Sequence, residues 1–275
     1  MIHSLRLLKL QSGLNPDPEL AGANQTGGDP GKTVILHLTG AVNGRRKSLR
    51  YTSGQRKFET GGGQRMKRAR EKKLVGATPP TYEGIALRAT TIKAVEEGIL
   101  RTCSPRAASL PAFREYVRKR DAVRTTLEAQ YSRKVFRWGR FMAWAKRDQS
   151  VERFAKKIVE TFGSGGKQVV IFYGDWGRNP NLKNQAPTPG IGLRRLLHAA
   201  PGILTITVRE TYTSSYCPLC ASEVDNARGV HGLLKCESPG CGMYWARDEL
   251  GSSNIMAKAR YLLAHPGTPH PQFCG

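Results

Sequence analysis

Four cysteines in the last third of the chain have the spacing of a metal site. They form two pairs, Cys217 with Cys220 in "CPLC" and Cys236 with Cys241 in "CESPGC", and fifteen residues separate the pairs. Zn²⁺ binds four thiolates tetrahedrally, and a Cys-x-x-Cys turn presents two of them from one knuckle. The second pair is spaced more widely, but Pro239 and the glycines beside Cys241 favour the turn it needs. We therefore predict a zinc ribbon.

His231 lies between the two knuckles, and imidazole is also a zinc ligand. Because four cysteines already complete a tetrahedral shell, we predict that His231 is not a ligand. A ribbon of this kind can also serve only to stabilise a hairpin whose core is too small to fold alone. The ribbon by itself therefore does not indicate a function.

A second stretch that could bind a ligand is "GGDPGKT" at residues 27–33. A phosphate-binding P-loop would need a glycine five residues before Gly31, where this chain has Thr26, and a helix after its lysine. The residues that follow, "TVILHL", are apolar and β-branched and predict a strand instead. We therefore disfavour nucleotide binding at this stretch.

The charge balance indicates a polyanionic partner. Among 275 residues, 44 are Lys or Arg and 21 are Asp or Glu, a net charge of +23. Nucleic acid is the commonest polyanion, and clustered basic residues are its usual binding surface. A charge run is often only a solvated face, and "KRAREKK" at 67–73 also resembles a nuclear-import signal. The candidate phosphate contacts are Arg45, Arg46, Lys47, Lys67, Arg68, Arg70, Lys72 and Lys73.

The remaining composition favours an intracellular protein. The N-terminal residues lack a signal peptide's apolar core, and no apolar run is long enough to span a bilayer. Four cysteines cluster while Cys103 and Cys274 stand apart, which is unlike the disulfide framework of a secreted domain. We expect a reducing compartment and no membrane partner, and the sequence leaves the oligomeric state open.

The strands and helices that must position these residues alternate along the chain. The sequence predicts a loop-rich or disordered segment at 1–28, strands at 32–40, 167–176 and 202–215, helices at 82–100, 111–162, 191–200 and 247–264, a loop at 177–190 and a flexible tail at 265–275. This alternation predicts an α/β domain with a mixed sheet. The ribbon is predicted to be an insertion, because a helix returns directly after it.

Four aromatic residues are interleaved with basic residues in the long helical region, namely Phe136, Trp138, Phe141 and Trp144. Such residues can pack against a neighbouring helix or stack on bases of a nucleic acid. We favour helix packing.

The residues on either side of the ribbon resemble a family of nucleases. "RETYTSSYC" (209–217) precedes the ribbon, and "CGMYWARDELGSSNIMAKA" (241–259) ends and follows it. The Thr-Ser pair before the first cysteine and the "RD" before a small-residue helix resemble the C-terminal part of TnpB-type transposon nucleases and type V CRISPR effectors. "FRWGRFMAWAKRDQSVERFAKKI" (136–158) and "VVIFYGDW" (169–176) are similar to segments of Fanzor proteins, the eukaryotic and viral relatives of TnpB.

The resemblance, which covers about residues 29–260, implies an RNase H-like (RuvC) nuclease fold interrupted by a zinc ribbon. It implies a core at 29–210, a ribbon at 211–246 that contacts target nucleic acid, and a final helix at 247–264. DNA and a guide RNA would be the partners, and the protein would be nuclear in a eukaryotic host.

The same resemblance implies the catalytic carboxylates. They are Asp29, Glu210 just before the Thr-Ser pair, and Asp248 of the "RD" pair, with Asp175 as a weaker candidate. Two-metal hydrolysis of phosphodiesters needs carboxylates from separate elements that converge on two Mg²⁺ ions. The alternative roles are structural, since Asp248 also suits a helix N-cap and Asp175 a turn.

Two interpretations remain open at this stage. The relatives carry a long N-terminal half that holds guide RNA and target duplex, whereas this chain starts close to Asp29, so we expect a truncated Mg²⁺-dependent endonuclease core. The alternative is a catalytically inactive zinc-ribbon relic that binds DNA or RNA. A ribosomal or transcription-factor ribbon would explain the charge and the cysteines, but not the residues that flank the ribbon.

Overall fold

The computed structural model describes residue 20 and residues 22–73, 81–82, 85–86, 91–101, 103–106, 109–175, 190–230 and 232–273. The chain divides into two compact units, Met1–Arg56 with Asp148–Gly275, and Lys57–Arg147. Within the described ranges, no helix is both long enough and apolar enough to cross a membrane.

The strands are β1 (Asn24–Asp29), β2 (Val34–Val42), β3 (Arg45–Thr52), β4 (Thr81–Tyr82), β5 (Ile85–Ala86), β6 (Val169–Gly174), β7 (Ile203–Val208), β8 (Val224–Asn226), β9 (Leu233–Cys236) and β10 (Tyr244–Ala246). The helices are α1 (Ser53–Glu59), α2 (Gly62–Lys73), α3 (Ile92–Val95), α4 (Leu110–Ala122), α5 (Arg124–Tyr131), α6 (Lys134–Phe162), α7 (Gly190–His198) and α8 (Arg247–Ala264). A π-helical turn at Glu96–Leu100 follows α3, and a 3₁₀ turn at Ala227–Gly229 follows β8.

A five-stranded mixed sheet in the order β3-β2-β1-β6-β7 is the centre of the first unit. Strands β1, β2 and β3 pair in antiparallel fashion, whereas β6 is parallel to both β1 and β7. The combination of parallel and antiparallel pairs confirms the predicted mixed sheet. Because β2 follows "GDPGKT" directly, the helix that a P-loop requires is not present there.

The central strand β1 lies where the sequence predicted a loop up to residue 28, so that prediction is wrong for residues 24–28. Its sequence, "NQTGGD", lacks the apolar residues of a usual buried strand. The reason is the close approach of α8, because a methyl group at Gly27 would overlap the carbonyl oxygen of Ser252. On the opposite face, a methyl group at Gly28 would stand 3.2 Å from the side chain of Ile171. The two glycines therefore leave room for the groups that pack on the two faces of β1.

Strand β6 divides its side chains between two cores, as the period of two in a strand requires. Val169, Ile171 and Tyr173 pack in the core that α6 and α7 cover. Val170 and Phe172 pack on the other face, with apolar residues of α8. Every residue of β6 is buried, which explains its continuous apolar sequence.

The predicted helices are present with different bounds. The prediction 247–264 coincides with α8, and 191–200 overlaps α7. The prediction 111–162 covers three helices, because the backbone leaves the helical region at Val123 (φ −103°, ψ 2°) between α4 and α5. The prediction 82–100 falls partly outside the described residues, and its described part begins with the short strands β4 and β5 before α3.

The second unit has its own small core of Ile92, Val95, Val123 and Leu127. The predicted packing of the interleaved aromatic residues holds for Phe136, whose ring centroid lies 5.1 Å from that of Tyr131. It is wrong for Trp138, Phe141 and Trp144, which are exposed by 58%, 52% and 54%.

The C-terminal segment is exposed at residues 265–269 and contacts the rest of the first unit at Phe273, and the flexible tail predicted at 265–275 stays a prediction. Phe273 is buried, and its ring centroid lies 6.1 Å from that of Tyr216. The ammonium group of the buried Lys258 donates a hydrogen bond of 2.9 Å to the Phe273 carbonyl oxygen. This bond gives a buried charge of α8 its partner.

Candidate functional site

Three acidic side chains lie at one edge of the sheet because three parallel strands end there. Asp29 is the last residue of β1, Asp175 follows the last residue of β6, and Glu210 comes two residues after β7. The register pairs Gly28 with Tyr173 and Gly174 with Val208, so the strands end at nearly the same level. The carboxyl ends of parallel strands are a common place for a site.

Helix α8 brings Asp248 to the same edge. Asp248 lies in the first turn of α8, and Gly251 follows three residues later on the same side of the helix. A Cβ atom at Gly251 would stand 2.5 Å from Asp29 Oδ2, so the start of α8 lies directly against this carboxylate. Burial and the negative charge of Asp248 raise the pKa of Asp29 to about 7, against the opposing effect of Arg247.

Glu210 reaches back over the end of β6. A methyl group at Gly174 would overlap Glu210 Oε1, so the carboxylate occupies the space that a side chain at this position would take. Burial raises the pKa of Tyr173 above its usual range, and the charges of Glu210 and Asp29 raise it further while Arg194 opposes them. Both carboxylates are therefore near one tyrosine at the end of β6.

The segment after β7 is held by polar contacts to its backbone. The Glu210 N–H donates a 3.2 Å hydrogen bond to Asp175 Oδ1, so Asp175 orients the backbone that carries Glu210. Asn254 of α8 is buried, and its side-chain amide donates to the carbonyl oxygens of Thr213 (2.8 Å) and Tyr216 (2.7 Å). These contacts fix the segment that leads from Glu210 into the ribbon.

A buried histidine lies opposite Asp29 on the neighbouring strand. His37 of β2 pairs with Asp29 of β1, and opposite residues of an antiparallel pair share one face. His37 Nδ1 lies 3.0 Å from Ser252 Oγ, which links β2 to α8. Burial lowers the pKa of His37 to about 4, and the positive charges of Arg50 and Arg46 lower it further. The ring is therefore neutral at physiological pH.

The acidic side chains fit divalent cations through their chemistry, because Mg²⁺ prefers carboxylate oxygens. A cation beside Asp29 and Asp248 would also remove the repulsion that raises the pKa of Asp29. Across the described residues, only the four cysteines have ligand atoms that all lie within 4.8 Å of one another. The acidic side chains of the described residues do not form such a group by themselves.

The four cysteines meet as predicted, although they come from two knuckles. Cys217 Sγ lies 3.8 Å from Cys241 Sγ, and Cys220 Sγ lies 3.3 Å from Cys236 Sγ. Tetrahedral zinc with Zn–S bonds of about 2.3 Å requires sulfur separations of about 3.8 Å, so the group fits such an ion. The three-stranded sheet β10-β9-β8 supports the site. His231 lies outside the described residues.

The thiols differ in how readily they lose a proton. Hydrogen bonds from Ser222 lower the pKa of Cys220 to about 6, whereas burial raises the pKa of Cys236 to about 12. Zinc binds thiolates, so metal binding must release protons from this site. Zinc retention is therefore expected to weaken in acid.

The basic residues predicted to contact phosphates fall into two groups. Lys67, Arg68, Arg70 and Lys72 are exposed on α2, but Lys73 forms a 2.7 Å ion pair with Glu96. On β3, Arg45 and Lys47 are exposed.

Arg46 of β3 is also exposed, but it contacts other residues of the first unit. It lies 3.2 Å from Glu249 Oε1 and donates a 2.6 Å hydrogen bond to Ser253 Oγ. Its guanidinium carbon also lies 4.9 Å from the centre of the Trp245 ring. Arg46 thus joins β3 to the ribbon and to α8.

Sequence reasoning missed Gly174, Gly251, His37 and Asn254. The glycines have no chemical group that marks them, and their role depends on the spacing of α8 and the sheet. Asn254 had a detectable signal, because "GSSN" places small polar residues inside a helix, where they are otherwise unfavourable. His37 had a weaker signal as a lone polar residue in an apolar strand.

Three solved structures are similar to this chain. The chain matches the mini-RNA-guided endonuclease CRISPR-Cas_phi3 with a TM-score of 0.50 and 11% identity, over 91% of this chain and 46% of that one. CasPhi-2 (Cas12j) bound to crRNA and phosphorothioate-DNA matches with a TM-score of 0.44, 13% identity and coverage of 94% and 49%. The Cas12f1–sgRNA–target DNA complex matches with a TM-score of 0.40, 13% identity and coverage of 90% and 40%.

These likenesses concern the fold. Together with the strand order and the cysteine group, the match to CRISPR-Cas_phi3 confirms the predicted RNase H-like α/β fold with its inserted four-cysteine ribbon. The chain spans 46% of the length of that protein. No protein-family model and no curated protein matches this sequence.

Proposed function

We propose that this chain is the RuvC-like core of a metal-dependent DNA endonuclease of the TnpB/Fanzor type. The observation that carries the proposal is the placement of Asp29, Glu210 and Asp248. Two of them follow parallel strands, the third lies in the first turn of α8, and Asp29 is in close reach of that helix. Convergent carboxylates from separate elements are the ligand set for phosphodiester hydrolysis by Mg²⁺.

In this proposal the three carboxylates hold the Mg²⁺ ions, which supply an activated water and stabilise the leaving oxygen when bound. Burial, together with the negative charge of Asp248, raises the pKa of Asp29 to about 7 in the absence of cations. A divalent cation beside the two carboxylates would compete with this proton, and the competition favours the cation as the pH rises above 7. Glu210 completes the group across Gly174, and Asp175 and Asn254 orient the backbone near it.

The four-cysteine ribbon has a structural role in this proposal, with zinc as its ion. Its core contains Cys217, Cys236, Trp245 and Leu250, and Leu250 belongs to the first turns of α8. Because Asp248 lies between Trp245 and Leu250, loss of the ion would also disturb this carboxylate. The ribbon thereby couples metal binding to the position of an acidic residue.

DNA and a guide RNA are the proposed partners. The net charge of +23 supports a polyanionic partner, and the exposed basic residues of α2 and β3 supply phosphate contacts. The similar solved structures contain RNA guides and DNA, according to their descriptions. Nuclear residence in a eukaryotic host belongs to the same proposal.

The test is a cleavage assay on single-stranded and duplex DNA, with and without Mg²⁺. The purified protein and its Asp248→Ala variant are compared, with Asp121→Ala of α4 as the control for loss of an exposed acid. We expect Mg²⁺-dependent cleavage that Asp248→Ala abolishes and Asp121→Ala leaves unchanged. Equal cleavage by the wild type and Asp248→Ala contradicts the assignment.

A second candidate is a catalytically inactive zinc-ribbon protein that binds DNA or RNA. The observation in its favour is that, among the described residues, the group that could hold a metal ion is the four cysteines and includes no acidic side chain. It predicts nucleic-acid binding without cleavage under any metal condition. Calorimetric titration with Mg²⁺ distinguishes the two candidate functions. If the protein is a nuclease, the wild type binds Mg²⁺ and the Asp29→Asn variant loses this binding, whereas an inactive ribbon protein shows no such difference.

A further inference from the structure

Helix α6 carries a row of exposed aromatic rings that the proposed nuclease centre does not use. Trp138, Phe141 and Trp144 are exposed by 58%, 52% and 54%. Successive ring centroids lie 5.5 Å and 6.0 Å apart, with interplanar angles of 34° and 40°. Large aromatic side chains are usually buried, and a contiguous exposed group of them marks an interaction surface. We call these three residues the aromatic row.

Each ring of the aromatic row has a basic residue one helical turn before it. Lys134 precedes Trp138, Arg137 precedes Phe141 and Arg140 precedes Trp144, each by four residues. Residues four apart lie on the same side of a helix, so cations and rings share one face. All three basic residues are exposed, and Arg140 also reaches the Tyr131 carbonyl oxygen at 3.5 Å.

The charge of this stretch is entirely positive. Residues 133–147 contain six Lys or Arg residues and no Asp or Glu. A surface that combines cations with exposed rings fits a ligand that offers phosphates and stackable bases together. In a duplex the bases are already stacked in the helix, whereas in a single strand their faces are accessible.

We propose that the aromatic row and its basic residues bind single-stranded nucleic acid, with bases on the rings and phosphates on the cations. This site belongs to the second unit, whereas the carboxylates belong to the first. The inference rests on the proposed binding of nucleic acid, but it does not require cleavage. Charge complementarity selects this ligand over a second copy of the chain, because two such surfaces would repel each other.

The test measures fluorescence anisotropy of a labelled 20-nucleotide oligothymidine and of a duplex of equal length, in Mg²⁺-free buffer so that no cleavage occurs. The variants are Trp138→Leu, Phe141→Leu, Trp144→Leu and their combination, because leucine keeps an apolar helix-forming side chain and removes the ring. Phe113→Leu is the matched control, since Phe113 is an exposed aromatic residue of α4. Far-UV circular dichroism checks that each variant retains its helix content.

We expect each ring variant to weaken binding of the single strand about tenfold, with duplex binding and the Phe113→Leu control unchanged. Arg137→Gln with Arg140→Gln should instead reduce the salt dependence, by about 0.7 in the logarithmic slope for each phosphate that is no longer neutralised. Quenching of tryptophan fluorescence by the oligonucleotide should fall in Trp138→Phe and Trp144→Phe.

Three results would overturn the inference. The first is single-strand affinity within twofold of wild type in the combined ring variant. The second is a wild-type dimer, seen by sedimentation, that the combined variant dissociates, which would make the row a contact between copies. The third is binding to anionic vesicles that depends on the rings while oligonucleotide binding does not. Failure of the nuclease proposal is a separate result, namely ring-dependent binding with no cleavage by the wild type.

Discussion

The carboxylate of Glu210 lies over the α-carbon of Gly174, in the space where any other residue would place its side chain. Gly174 ends β6, between the strand that ends with Asp29 and the strand that leads to Glu210. The missing side chain thus lets the Glu210 carboxylate lie over the end of β6, the strand that pairs with β1. Gly251 has the matching role on α8, where a Cβ atom would stand 2.5 Å from Asp29 Oδ2.

The substitution Gly174→Ala should displace Glu210 and reduce cleavage at least about 100-fold, because misplacing a catalytic group by about 1 Å has effects of this size. The free energy of unfolding should fall by about 1–3 kcal/mol, as for other overpacked sites. Single-turnover cleavage at saturating Mg²⁺ and urea unfolding measure the two effects. Gly192→Ala on α7 is the control, because nothing lies within 4 Å of its added Cβ. Unchanged cleavage by Gly174→Ala would show that Glu210 is not needed.

The charge of Asp29 should make stability depend on pH when Mg²⁺ is absent. Its folded-state pKa of about 7 lies above the ordinary aspartate pKa of 3.8, so the folded protein binds a proton that the unfolded chain has lost. This carboxyl therefore lowers stability progressively as pH rises from about 4 to 7, and the effect stays constant above that.

The substitution Asp29→Asn should accordingly stabilise the Mg²⁺-free protein by about 2–4 kcal/mol at pH 8 and change it little near pH 4. Urea unfolding of both proteins at the two pH values measures the difference. The exposed Asp121→Asn serves as the control and should show no such trend. The same Asp29→Asn change should abolish cleavage. A stability difference that is equal at both pH values would contradict the buried, repelled state of Asp29.

Removing one ribbon cysteine should abolish metal binding. The Sγ atoms of Cys217, Cys220, Cys236 and Cys241 lie within 4.8 Å of one another, so we expect one zinc ion per chain by mass spectrometry of the metal content. Cys220→Ser and Cys241→Ser should each reduce the zinc content to near zero. Hydrogen exchange should then increase in β8, β9 and β10, while β6 stays protected.

Cys103→Ser is the control for this experiment, since Cys103 lies in the second unit, apart from the ribbon cysteines. It should retain a full equivalent of zinc. A zinc content that is unchanged in Cys220→Ser, or absent from the wild type, would contradict the assignment of the metal.

The sequence allowed some of these features to be predicted because they depend on local chemistry. The spacing of the cysteines predicts their meeting, and the helix predicted at 247–264 has the observed bounds of α8. Strand β1 could not be predicted in this way, because its glycines are explained only by the approach of α8 and of Ile171. A polar, glycine-rich segment otherwise indicates a loop.

The same distinction applies to the site and to the aromatic residues. The family resemblance selected Asp29, Glu210 and Asp248, whereas Gly174 and Gly251 became evident only from interatomic distances. The positions of the aromatic residues in the sequence could not distinguish Phe136, which packs against Tyr131, from the three exposed rings that follow it. Burial of a helix face depends on the neighbouring elements, and the helix sequence does not specify them.

Arg46 was predicted to contact phosphates, but it also makes contacts within the protein. Its substitution should therefore affect stability more than substitution of its neighbour Arg45. Side chains alternate along β3, so the two arginines point to opposite faces of the sheet. Arg46 contacts Trp245, Glu249 and Ser253, which belong to the ribbon and to α8. A cation–π contact, a partly exposed ion pair and a charged hydrogen bond together are worth about 1–3 kcal/mol.

We therefore expect Arg46→Ala to lower the free energy of unfolding by about 1–3 kcal/mol and to shift the fluorescence of Trp245, whose ring would no longer have a cationic neighbour. Arg45→Ala, at an exposed position, should change stability by less than about 0.5 kcal/mol. If β3 binds DNA, Arg45→Ala should instead reduce the salt dependence of binding by the equivalent of about one phosphate. Equal loss of stability in the two variants would show that the interactions of Arg46 with the ribbon contribute nothing beyond its charge.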